Sequence, residues 1–86
     1  MVAFSELALA GLARATESDD QRNALRHAIN LHLSHPNAVS KSRRLPHASG
    51  IEMYMFSLWR VRITWELTPE DVVQVWSISV LRNQQA

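Results

Sequence analysis

The residues best suited to chemistry in this chain are basic, and they are grouped. Arg60 and Arg62 alternate within Leu58 to Leu67, Arg82 follows the next apolar run, and Lys41, Arg43 and Arg44 cluster upstream. A guanidinium binds phosphate through two parallel hydrogen bonds, and it stabilises the added charge of a pentacoordinate transition state without a metal. The plain alternative is that Arg60 and Arg62 are solvated strand residues paired with Glu66 or Glu52, and that Lys41, Arg43 and Arg44 belong to a solvated loop. Contact of that loop with an RNA backbone would make affinity fall steeply with salt.

Groups able to move a proton are fewer. Glu52 is either a general base beside a phosphate clamp or a cross-strand salt-bridge partner of Arg60, and the salt bridge is favoured. Tyr54 is either a platform for an unpaired base or a core or hairpin-edge tyrosine. His47 precedes the strands and is the one histidine expected to reach the arginines as an acid or base near neutral pH. His27, His32 and His35 have spacings of five and three, so at most His32 and His35 share a helix face, and no carboxylate lies at a supporting interval. Neither a metal nor a cofactor is expected.

The elements that must position these groups are legible from capping and periodicity. Ser5 caps a helix over about 5–16, with Leu7, Leu9, Ala10 and Leu12 ahead of Arg14 and Gly11 weakening its middle. Ser18-Asp19-Asp20-Gln21 has capping-box spacing and opens a second helix over about 19–35. There Leu25, Ala28, Ile29 and His32 follow the helical period, and Pro36 ends it. Residues 36–50 read as a basic connecting loop.

From Ile51 the period becomes two, predicting strands over about 51–56, 58–67 and 72–81. Thr68-Pro69-Glu70-Asp71 suits a tight turn between the last two. Pairing Leu67 with Val72 sets Ile63 opposite Trp76, Val61 opposite Ile78 and Trp59 opposite Val80 on the buried side. That register puts Trp59, Trp65 and Trp76 in the core, with Arg62 opposite Ser77 and Arg60 opposite Ser79 on the other side. Amphipathicity turns Ile51, Met53 and Met55 inward and leaves Glu52 and Tyr54 beside the arginines, although the length of the turn near Ser57 decides this. The expected fold is α+β, with two N-terminal helices on one face of a three- to four-stranded antiparallel sheet whose other face displays arginines.

Composition bounds these readings. The 86 residues suit a single domain over 1–86, and a hydrophobic fraction of 47% is ample for a packed core. There is no cysteine, hence no disulfide or thiolate metal site. No apolar run approaches the ~20 residues of a membrane span, and the N-terminus lacks signal-peptide order, so a soluble, cytoplasmic protein without membrane partners is expected. A net charge of +1 is not that of a protein that coats nucleic acid.

The order helix, helix, basic loop and strand meander, with Trp59-Arg60-Val61 in "LWRVRITWEL" and Arg82 after "VVQVWSISVLR", resembles the RelE/ParE superfamily of toxin–antitoxin toxins. Arg44 to Gly50 also looks like that family's loop before its second strand. The family's first strand would have to fit into Met1 to Phe4 as a brief edge strand. The resemblance implies a cytoplasmic toxin held inactive by a cognate antitoxin. It implies either ribosome-dependent mRNA endonuclease activity, with translation inhibition, or non-enzymatic inhibition of DNA gyrase; a degenerate, partner-binding member is the further alternative. In the endonuclease branch Arg60 and Arg82 match catalytic positions, with Tyr54 and Glu52 as proton-transfer candidates and Arg62, Arg43, Arg44, Lys41 and His47 as substrate-binding candidates. On the second strand, where endonuclease members carry lysine or arginine, this chain has Glu52, Tyr54 and Phe56.

Overall fold

The computed structural model describes residues 2–35, 37–45, 52–68, 70 and 72–81. Strand β1 (Val2–Phe4) leads directly into helix α1 (Glu6–Ala15), because Ser5 is extended and its hydroxyl accepts the Ala8 amide at 3.0 Å as the N-cap. Helix α2 (Asp19–Ser34) begins in the same way, with the Ser18 hydroxyl accepting from the Gln21 amide at 3.1 Å and two aspartates in the first turn. The side chain of Gln21 accepts from the Glu17 amide at 2.8 Å, so donors at the start of the helix are satisfied from both directions. Among the described residues, no helix is long and apolar enough to cross a membrane.

Three further strands were expected and four follow: β2 (Arg43–Leu45), β3 (Met53–Leu58), β4 (Val61–Leu67) and β5 (Val73–Val80). They form a five-stranded sheet in the order β1-β5-β4-β3-β2. The expectation of three to four antiparallel strands is corrected on both counts, since β1 pairs parallel to β5 through Val2–Val73, Ala3–Gln74 and Phe4–Val75. Strands β1 and β2 are three residues each, too short for any alternation to register.

The helices cover one side of this sheet. Ala8, Leu12, Leu25, Ile29 and Leu33 meet Tyr54, Phe56, Val61, Ile63, Trp65, Val75 and Ile78 in one buried cluster. Helix α1 approaches β5 so closely that a methyl group on Gly11 would collide with the carbonyl oxygen of Ile78. The glycine that weakens the helix in isolation is therefore what lets the two backbones touch. Helix α2 spans the sheet: the Arg26 guanidinium lies 5.1 Å from the Phe4 ring centroid, and His32 stacks on Phe56 at 3.8 Å and 8°.

Two predictions follow from this packing. Ala is a better helix former than Gly by about 1 kcal/mol, yet Gly11→Ala is expected to lower stability by about 1–3 kcal/mol through overpacking. A rise in the urea midpoint on this substitution would contradict the close approach. For His32, burial, followed by the positive charges of Lys41 and His35, holds the imidazole below its ordinary value of 6.5, and its Nε2 is buried without a partner. Above that value both folded and unfolded forms are neutral. As pH falls below it, the unfolded chain takes up a proton that the folded chain resists, so stability drops through the lower folded pKa. His32→Phe should keep the stack and reduce the difference between urea midpoints at pH 7 and pH 5.

Candidate nucleic-acid interface

The hairpin between β3 and β4 decides which side chains reach the uncovered side of the sheet. Leu58 pairs directly with Val61, so the loop is the two residues Trp59 and Arg60, at φ 48° and 65°. Two consecutive positive φ values are what a type I′ hairpin turn requires. The turn is held from outside by the Leu81 amide, which donates to the Arg60 carbonyl at 2.8 Å.

This placement corrects several expectations together. Strand β4 starts at Val61 and not at Leu58, so Arg60 is an exposed turn residue and is not opposite Ser79. Trp59 leaves the core and is 59% exposed. Moving the turn from near Ser57 to Trp59-Arg60 reverses the facing of β3, because side chains alternate along a strand. Tyr54 and Phe56 therefore enter the core, while Met53, Met55 and Ser57 turn to the uncovered side.

Tyr54 is 5% exposed, stacks on Trp65 at 4.7 Å and donates its hydroxyl to Glu52 at 3.1 Å. Burial, the hydrogen bond to Glu52 and that residue's charge push the phenol up, partly offset by Arg44. Glu52 is exposed, but it lies beyond the Met53–Glu66 pair at the far end of the hairpin from Arg60. Six residue pairs of strand put about 20 Å between them. The expected salt bridge between Glu52 and Arg60 does not form, and neither Glu52 nor Tyr54 stands beside the arginines.

Arg62 does reach the uncovered side, and its neighbours are Ser57 on β3 and Ser79 on β5. The expected neighbour Ser77 pairs instead with Thr64. The register differs by two residues: Leu67 pairs with Val73 and not with Val72, and β5 carries a bulge, with Trp65 pairing with Val75 but Thr64 with Ser77, so Trp76 has no partner on β4. Trp76 is 41% exposed, which leaves Trp65, at 1%, as the one core indole of the three. Among the described residues no carboxylate pairs with Arg43, Arg44, Arg60 or Arg62; the ion pair there is Arg22 with Asp19 at 2.9 Å.

The basic loop is partly strand. Arg43 stands opposite Met55 on the uncovered side, about 12 Å from Arg62 by strand spacing. Arg44 stands opposite Tyr54 and therefore faces the helices' side. Ser42 accepts from Trp65 Nε1 at 3.2 Å, tying the start of β2 to β4, and Lys41 is exposed just ahead of it. Arg82 and His47 lie outside the described residues. Among the described residues no group of three His, Asp or Glu side chains is arranged to hold a metal ion.

The resulting surface combines a guanidinium without an ion-pair partner among the described residues with hydroxyls: Ser57, Arg62 and Ser79 in one row, Arg43, Met55, Thr64 and Ser77 in the next. Sequence alone does not bring Ser57 and Ser79 to Arg62, because the first adjacency depends on a turn at Trp59-Arg60, which is not a turn dipeptide, and the second on the register and bulge between β4 and β5. Such a row suits a phosphate oxygen, since the guanidinium supplies charge and fixed donors while the hydroxyls donate without competing for it.

No family model matches the chain, and no curated protein matches it significantly. Solved structures do match. RelE in the archaeal RelE–RelB complex of Pyrococcus horikoshii superposes with a TM-score of 0.62 at 16% identity, covering 98% of this chain and 96% of that one. A doubly substituted Escherichia coli toxin RelE, in complex with an antitoxin RelBc peptide, gives 0.56 at 18% identity, covering 96% and 84%. With nearly the whole chain superposed in both cases, the two helices and five-stranded mixed sheet described above are the RelE toxin fold.

Proposed function

We propose that this chain is the toxin of a type II toxin–antitoxin system, a RelE-like endonuclease or translation inhibitor acting on mRNA at the ribosome and neutralised by a cognate antitoxin. The observation that carries the reading is Arg62 on the side the helices leave open, between Ser57 and Ser79 and without a carboxylate partner among the described residues. An arginine so placed is available to a phosphodiester. In the proposed arrangement Arg62 and Arg43 hold the RNA backbone and Arg60 reaches the same strand from the turn; Arg82, outside the described residues, is proposed as a further phosphate contact. Lys41, Arg44 and His47 are proposed at the periphery. The antitoxin partner is proposed from the two RelE structures, each of which is a complex with a RelB chain or peptide.

A second reading, the non-enzymatic one, is favoured by a specific observation. Tyr54 is buried against Trp65 and Glu52 is remote, so among the described residues no proton-transfer group stands beside Arg62. A chain of this kind would bind RNA, gyrase or its antitoxin without cutting.

Cleavage of mRNA in a translating extract tests the first reading. Arg62→Ala should reduce cleavage by about 100-fold if the guanidinium stabilises the transition state, and should lower the salt slope of RNA binding by about one. Wild-type activity in Arg62→Ala would remove this residue from the mechanism. Intact mRNA with inhibited DNA supercoiling would favour the gyrase alternative. Tyr54→Phe should cleave like the wild type yet unfold at lower urea, having lost the hydrogen bond to Glu52; lost cleavage with unchanged stability would make the phenol catalytic.

A further inference from the structure

We infer that Trp76 is a stacking platform for an unpaired nucleobase, so that the uncovered side of the sheet holds single-stranded RNA by a base as well as by phosphate; this rests on the RNA reading above. Val75 and Ile78 both face the helices and are buried, with two residues between them where regular alternation would leave one. Trp76 and Ser77 therefore both stand away from the core, opposite the single residue Thr64. Bulges commonly re-aim a side chain next to a functional site. This one is fixed by the residue that joins β1 to α1: the Ser5 hydroxyl donates to the Trp76 carbonyl at 2.8 Å, and the Ser5 amide donates to the Val75 carbonyl at 3.0 Å.

The position explains itself poorly by stability alone. An indole 41% exposed at an unpaired strand position leaves apolar area in water that the core could have used. Its neighbours give it a use. Thr64 and Ser77 lie beside it, and Arg62 stands about 11 Å away by strand spacing, a separation that the two long side chains narrow to the scale of one nucleotide. Aromatic faces beside cationic groups are how proteins bind single strands with little sequence preference.

The experiment is equilibrium binding of the whole chain to a short oligoadenylate and to an abasic oligomer of the same length. Trp76→Ala and Trp76→Leu should weaken oligoadenylate binding by about tenfold while leaving the salt slope and the abasic oligomer unaffected. Trp76→Phe should retain most of the affinity, and it also controls for folding. Equal oligoadenylate binding by wild type and Trp76→Ala overturns the inference, as does an equal loss on the abasic oligomer. Loss of antitoxin binding with RNA binding intact assigns Trp76 to a protein partner and overturns it too. A wild-type chain that binds neither oligomer overturns the RNA reading itself, a result distinct from the others.

Discussion

Because Trp59 and Arg60 both adopt left-handed backbone, Leu58 meets Val61 directly and every other neighbour across β3 and β4 follows from that contact. Left-handed conformations cost L-residues roughly 1–2 kcal/mol each. The chain tolerates this because the turn is bonded to Leu81 and because the register it sets buries Tyr54, Phe56, Ile63 and Trp65 together. A turn that shifted the register of β3 by one residue would carry Tyr54 and Phe56 into water and bring Met53, Met55 and Ser57 beneath the helices. The backbone strain and the placing of Ser57 beside Arg62 thus have one origin.

The two sides of the sheet differ sharply in chemistry. Beneath the helices, among the described residues, no polar or charged residue is fully buried, and the ring stacks of Tyr54 with Trp65 and His32 with Phe56 close the core near its edges. The opposite side carries serine, threonine and arginine, with Met53 and Met55 toward the β2 edge and the indole of Trp76 on β5. Glu66 stands on that side as well, but in the row of Met53 and Gln74, two rows from Arg62. Separation along the strand keeps the carboxylate from neutralising the guanidinium.

Much of this is legible in the amino-acid sequence. Ser5 and Ser18 announce both helices through their hydroxyls, the alternation from Val61 to Leu67 sorts core from surface, and Arg62 falls on the correct side of its strand. What failed depends on single-residue offsets. A Trp-Arg dipeptide carries none of the usual glycine or asparagine signal for a two-residue turn, so Trp59 and Arg60 read as strand and Tyr54 was assigned to the wrong side. A bulge leaves no mark in composition, so Trp76 read as core. Strand β1 was visible only as room for a short segment; its parallel pairing with β5 joins distant residues, which no local pattern encodes.

That last pairing shapes how the molecule is assembled. Ser5 is bonded to Trp76, 71 residues away in sequence, and α1 makes its closest backbone approach to β5, the final strand described. During synthesis, the first helix emerges long before the strand it packs against most closely, and that seat is absent until Val73 to Val80 has followed. Closure of the sheet and completion of the arginine-bearing side are then one late event, so a nascent or interrupted chain carries neither that surface nor the fold that would support it.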